Sequence, residues 1–157
     1  IMDFAAITQA YIDMVYRVAV SYLGSPADGE DVTQTVFLKL LGKLDTLESP
    51  EHVKHWLLRV TVNECKRLAA SPWRRHTVPL ETVSASLSFE SPEQSELFLA
   101  VMQLPPKDRL AVDLYYYEGY SAAQAARIMG CSATAFTTRL ARARTKLREA
   151  LGGPEYV

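Results

Sequence analysis

Between Tyr120 and Arg148 lie six Lys or Arg and no acid, in a stretch that reads as two helices hinged at a glycine: SAAQAARIMGCSATAFTTRLARARTKLR, residues 121–148. Ser121 starts the first helix as an N-cap, and Gln124 three residues on completes a capping box. Ala125, Ala126, Ile128 and Met129 form its inward side, and Gly130 supplies the left-handed residue that ends it. Ser132 caps the second helix. There Phe136, Leu140 and Leu147 share one stripe at helical spacing, while Thr134, Thr137, Thr138, Ala141 and Arg142 point away from it. A short capped helix, a glycine turn and a basic second helix predict a helix-turn-helix, whose second helix enters the major groove of DNA. A basic, merely solvated helix in an ordinary bundle is the plainer alternative, and the tight turn and acid-free run argue against it.

A net charge of −1 over 157 residues would, taken alone, speak against a nucleic-acid binder. The average hides a polarity. In residues 1–58 acids outnumber basic residues two to one, whereas Arg59–Arg75 holds five basic residues against Glu64 alone. An acidic front with two basic islands predicts at least two kinds of surface. At 48% hydrophobic and 22% charged the chain is globular. Cys65 and Cys131 stand far apart, which suggests neither a disulfide framework nor a cysteine zinc site and fits a reducing cytoplasm. No apolar run approaches the ~20 residues of a membrane span, and no signal peptide is visible, so a cytoplasmic location is expected.

The first 70 residues read as three helices. Phe4, Ile7, Tyr11, Val15, Val18 and Tyr22 recur at threes and fours. Ser25 caps a second helix that opens on Pro26 and is expected to run to about Leu44, with Val32, Val36, Leu40 and Leu44 facing inward and Leu38 and Leu41 on an unusually apolar outer side. A third is expected over about 51–70, with Val53, Trp56, Leu57, Val60 and Leu68 inward. Residues 71–92, with three prolines and five serines and no sustained period, read as a flexible linker. Further helices follow at about 93–103 and 107–117, then the helix-turn-helix. The expected fold is all-α: two small helical domains, 1–70 and 93–157, joined by that linker.

Three segments carry a family resemblance. DGEDVTQTVFLKL (28–40), WLLRVTVNECKRL (56–68) and the run from Leu104 to Leu151 resemble, in this order and spacing, the conserved segments of bacterial sigma factors of the extracytoplasmic-function group. The first is similar to the acidic-start motif that binds the clamp helices of RNA polymerase in that family. This implies docking through Asp31, Gln34, Thr35 and Leu38. The second resembles the helix that holds the downstream promoter element as it melts, which implies single-strand contacts from the loop Leu47–Glu51 and from Arg59, Asn63, Lys66 and Arg67. The third resembles the region that reads the upstream, minus-thirty-five element. It implies Thr138 and Arg142 as base-edge readers with Thr137 and Ala141 beside them. Arg139, Arg144, Lys146 and Arg148 would make phosphate or fold contacts, or simply be solvated. The chain departs from the usual pattern at Gly29, where Ala is common, at Thr35, where Glu is common, and at Ala133, Ala135 and Thr137 in the recognition helix. The resemblance further implies an anti-sigma protein, often membrane-tied, that inserts helices between the two domains.

These assignments match what the chemistry demands. Arginine offers guanine a bidentate fork, and each good base contact is worth ~1–3 kcal/mol of discrimination. A trap for melted DNA must recover the few kcal/mol that base extrusion costs. Arg59, Asn63 and Arg67, one turn apart, share a face suited to that trap, while Trp56 on the inward stripe reads as core rather than as a base stacker. His52 and His55 could share a helix face, but no acid or thiol is placed to complete a metal site, and no cofactor is expected. No catalytic triad, phosphate-binding loop or carboxylate pair stands out, so the chain reads as a specificity factor rather than an enzyme. A helix-turn-helix repressor or activator is the competing reading, and a protein-binding helical adaptor a third. Neither needs both the 28–40 motif and a second basic helix.

Overall fold

The computed structural model describes residues 3–72 and 78–152. The chain divides into two compact units, Ile1–Thr77 and Val78–Val157. The described residues are helical, with no strand among them.

Three helices make the first unit. α1 (Phe4–Leu23) is capped by Asp3, whose carboxylate accepts from the Ala6 N–H at 3.2 Å, and it ends on Gly24 at φ 66°. The turn is tight: Ser25 caps α2 (Pro26–Leu41) through the Asp28 N–H at 3.2 Å, and Pro26 occupies the first turn. α2 stops three residues short of the expected Leu44, because Gly42 leaves the helix and Leu44–Thr46 tightens into a 3₁₀ turn. Ser49 then caps α3 (Pro50–Ala69). The three helices pack on one another around Val15, Val18, Val36, Leu40, Val53, Leu57, Leu58 and Val62. Gly29 lies where α2 crosses α1, and a Cβ there would collide with Val20 Cγ2, a fully buried and stiff side chain. That contact gives Gly29 a packing reason.

The inward faces differ from the expected ones in detail. Phe37, Leu58 and Val62 join the core, whereas Trp56, Val60 and Leu68 are only half-buried. α3 is therefore rotated from the expected orientation, and this releases Trp56 to the surface cleft described below.

The second unit begins inside the stretch read as a linker. α4 (Leu80–Ala85) buries Val83, and Phe89 stacks at 5.3 Å on Phe98 of α5 (Pro92–Val101). The serine- and proline-rich composition hid this because four of its residues are caps or helix starts rather than linker: Pro79 and Ser91 precede α4 and α5, Pro92 opens α5, and Ser86 closes α4. Residues 73–77, including Arg74 and Arg75 of the first basic run, and 153–157 lie outside the described residues. α6 (Pro106–Val112) runs on into a π-helical turn, Asp113–Tyr117, closed by the Glu118 N–H on the Asp113 carbonyl at 2.9 Å. α7 (Ala122–Met129) has the expected reciprocal capping box of Ser121 and Gln124 and ends on Gly130 at φ 76°. Ser132 caps α8 (Ala133–Leu151), which packs through Phe136, Leu140, Ala143 and Leu147 against α5, α6 and α7.

Candidate nucleic-acid interface

The first half of α8 turns Ala133, Thr134, Thr137, Thr138, Ala141 and Arg142 outward, opposite its buried stripe. Ala125, Ala126, Ile128 and Met129 seat α7 beneath it, so the motif stands on a fixed base with its second helix accessible along one side. Thr137 Oγ1 is turned back onto the Thr134 carbonyl at 3.0 Å. Thr138 is exposed.

The cations of this helix are held in distinct ways. Asp108, on the first turn of α6, is buried, and its Oδ1 accepts from Arg139 Nη1 at 3.0 Å and from Arg142 Nη2 at 3.3 Å. Arg139 is 27% exposed and Arg142 52%. Arg142 thus spends one of its five donors on Asp108, and its side chain is half exposed. Arg144 turns away from the exposed Thr138–Arg142 side: its Nε donates to Tyr116 Oη, and its guanidinium sits 5.9 Å and 5.5 Å from the Tyr115 and Tyr116 rings. Of the alternatives open for Arg144, this is a fold contact, and the π turn supplies it by setting the two tyrosines edge to face, 5.0 Å apart.

In the first unit, Arg59, Asn63 and Arg67 share the outer side of α3, and Lys66 is half-buried beside them. Asn63 lines an open cleft of about 340 Å³ with Trp56 and Val60 of α3 and with Lys39, Gly42 and Lys43 from the end of α2. Trp56, expected in the core, is an aromatic wall of this cleft. Glu64, itself buried, accepts from Lys39 Nζ through Oε1 at 2.5 Å and from Arg67 Nε through Oε2 at 2.9 Å. Burial alone would raise the Glu64 pKa. The hydrogen bonds and charges of Lys39 and Arg67 outweigh it and bring the value below the ordinary glutamate range. In the loop expected to contact melted strand, Leu47 is 7% exposed, so its side chain anchors the loop into the first unit rather than facing outward. It is the one large apolar side chain after the 3₁₀ turn, and burying it fixes the loop between α2 and α3. His52 Nδ1 accepts from the Glu48 N–H at 3.4 Å, a local loop contact.

On α2 the residues expected to dock share one side: Asp31 and Gln34 are exposed, Thr35 is half-buried, and Leu38 and Leu41 are 68% and 54% exposed. Two exposed leucines a turn apart make an apolar strip between acidic and basic flanks.

Asp108, Glu64 and the Tyr115–Tyr116 pair were missed from the sequence. Glu64 had a readable signal as the lone acid of a basic run. Asp108 had only an indirect one: residues 121–148 carry no acid, so a counter-charge for their arginines has to come from elsewhere in the fold.

Comparisons with known proteins identify the family of the two units. The chain matches the family described as Sigma-70 region 2 over residues 7–75 and that described as Sigma-70, region 4 over 94–147. It is 28% identical to the RNA polymerase sigma-E factor of Streptomyces coelicolor, over 96% of this chain and 87% of that protein. It is 31% identical to the ECF RNA polymerase sigma factor SigM of Mycobacterium tuberculosis, over 80% of this chain and 65% of that one. Among solved structures, it resembles CnrH in complex with the cytosolic domain of CnrY at a TM-score of 0.66 and 25% identity, over 95% of this chain and 87% of that one. The fold is also that of RpoE from Bartonella quintana, solved with the anti-sigma factor NepR, at a TM-score of 0.71 and 23% identity, over 97% and 98% of the two chains. With two sigma-70 regions in their order along one short chain, on two helical units that carry separate basic faces, the protein belongs to the extracytoplasmic-function (ECF) group of RNA polymerase sigma factors.

Proposed function

We propose a division of labour in which this sigma factor docks on core polymerase through α2, traps melted promoter strand with α3 and reads duplex with α8. The observation that carries it is the pairing, on one three-helix unit, of an exposed Leu38–Leu41 strip with an aromatic-walled, cation-rimmed cleft at Asn63. A regulator that only bound duplex would need neither. In the trap, an unstacked base would find Trp56 as a stacking wall and the Asn63 amide as a hydrogen-bonding edge, while Lys39 and Lys43 attract the backbone. On α8, Thr138, Ala141 and Arg142 face the base edges, and Arg148 and Lys146 extend the positive field along the phosphates.

In this reading the chain performs no chemistry. It lends specificity to the polymerase's active site and works in the cytoplasm. No described helix is long and apolar enough to cross a membrane. The exposed leucines would also suit a protein that shields them, and the CnrH–CnrY complex supports an anti-sigma partner of that kind.

Co-migration with core polymerase in gel filtration tests the dock. Replacing Gln34 and Leu38 together with Ala should cost most of that binding while leaving helicity unchanged. A double variant that co-migrates as the parent does would contradict the assignment.

A further inference from the structure

We propose that Asp108 is a positioning residue for promoter reading: it restrains Arg139 and Arg142 from α8's neighbour helix, withholding Arg139 from the phosphates and aiming Arg142 at the base edges. The inference rests on the reading of α8 as the duplex-binding helix.

Three observations support it. Asp108 is buried on α6, far in sequence from α8, so its carboxylate is a fixed point set by the fold rather than by α8's own side chains. A single oxygen, Oδ1, holds both guanidiniums, while Oδ2 is buried with no donor among the described residues. The two arginines are therefore the carboxylate's charge partners, and releasing either leaves a buried anion less compensated. The restraint is also unequal. Each is held by one nitrogen, but Arg139 is mostly covered, whereas Arg142 has a half-exposed side chain. A flexible arginine beside DNA settles on whichever phosphate is near, because phosphate contacts carry no sequence information. An arginine tethered at one nitrogen has fewer such options, and its remaining donors are aligned before the duplex arrives. A shared buried carboxylate thus converts general attraction into selectivity.

The sign of the expected effect separates positioning from plain structural support. With the full chain assembled on core polymerase, Asp108→Asn should bind an unselected duplex at least as tightly as the parent. Its salt dependence should steepen by about 0.9 for each arginine that moves to a phosphate. On a duplex library randomised across the upstream element, the preference at the position that Arg142→Ala flattens should drop by roughly 5- to 150-fold, the worth of one base contact. Asp108→Glu, which keeps the charge, should restore part of that preference. A purely structural role would instead weaken binding to all sequences and show no rescue of selectivity by Glu. A folded Asp108→Asn variant with the parent's salt slope and preferences would overturn the proposal. Should that variant lose helicity, Arg139→Gln decides: an unchanged salt slope is expected, and a slope shallower by ~0.9 would place Arg139 on a phosphate and overturn it. A parent that shows no preference anywhere in the library would instead sink the underlying reading of α8, and the proposal with it.

Discussion

On α3 the acid that organises the basic face belongs to the helix itself: Glu64 sits three residues before Arg67 and reaches across to Lys39 on α2. On α8 the corresponding acid comes from another helix, because Asp108 is 31 residues from Arg139 and 34 from Arg142. Glu64 gives one oxygen to each partner, and those partners are 54% and 69% exposed. Asp108 gives one oxygen to both. Both carboxylates are buried, but the first clamp gives each cation its own oxygen and has two cations more than half exposed, whereas the second shares one oxygen between Arg139, mostly covered, and Arg142, half exposed. The α3 face should therefore keep its Glu64–Arg67 contact whatever packs around it, while both contacts of the α8 face depend on how α6 is seated.

Removing the cations should expose this difference most. Arg139→Met with Arg142→Met leaves Asp108 buried without its two partners, and the cost to the second unit should reach about 3–5 kcal/mol. Amide exchange in α6 and α8 reads it, and adding Asp108→Asn should recover most of the loss. The matching pair in the first unit, Lys39→Met with Arg67→Met, should cost less, because both of its cations are more than half exposed whereas Arg139 is mostly covered. Equal losses in the two units would break the comparison. Between these lies a binding effect: Arg142→Ala should cost ~1–3 kcal/mol at one base position and little elsewhere, measured by competition between single-base variants of the upstream duplex.

A pH titration sharpens the contrast further. The Glu64 pKa in the folded chain is below the ordinary value of 4.5. Its stabilisation is thus fully present above about pH 4.5 and is lost as pH falls through the lower folded value. Amide exchange in α3 should show this acid-side loss in the parent and less of it in Glu64→Gln. An identical acid profile in both would contradict the role given to the clamp. The smallest expected effect is at the far end of α8, where Arg148→Ala should lower affinity evenly across sequences and reduce the salt slope by ~0.9 if one phosphate is lost.

The sequence carried the elements well wherever backbone chemistry is local. Ser25, Ser121 and Ser132 cap helices as read, and Gly24 and Gly130 end them in the left-handed conformation. The outward apolar side of α2 was legible too, since Leu38 and Leu41 fall off the Val32–Val36–Leu40 stripe. Rotation about a helix axis was not. Trp56 and Leu58 differ by two residues on α3, and only packing against α1 and α2 decides which one is buried. The 78–92 segment was missed because a short helix with one buried residue, Val83, leaves no period to detect. The burial of the Leu47 side chain was not legible, because a loop position says nothing of the direction its side chain takes. The clamp at Asp108 was the hardest to read, because its three members meet only once α6 and α8 have packed.

Reconstitution with core polymerase tests the central claim most directly, by mapping initiation on a genomic promoter library with the parent, Asn63→Ala and Arg142→Ala. The division between faces predicts discrete start sites with the parent. Asn63→Ala should keep upstream-duplex binding but open fewer promoters, and Arg142→Ala should open promoters with a relaxed upstream preference. Initiation that does not depend on the added chain, or two variants that fail at the same step, would contradict it.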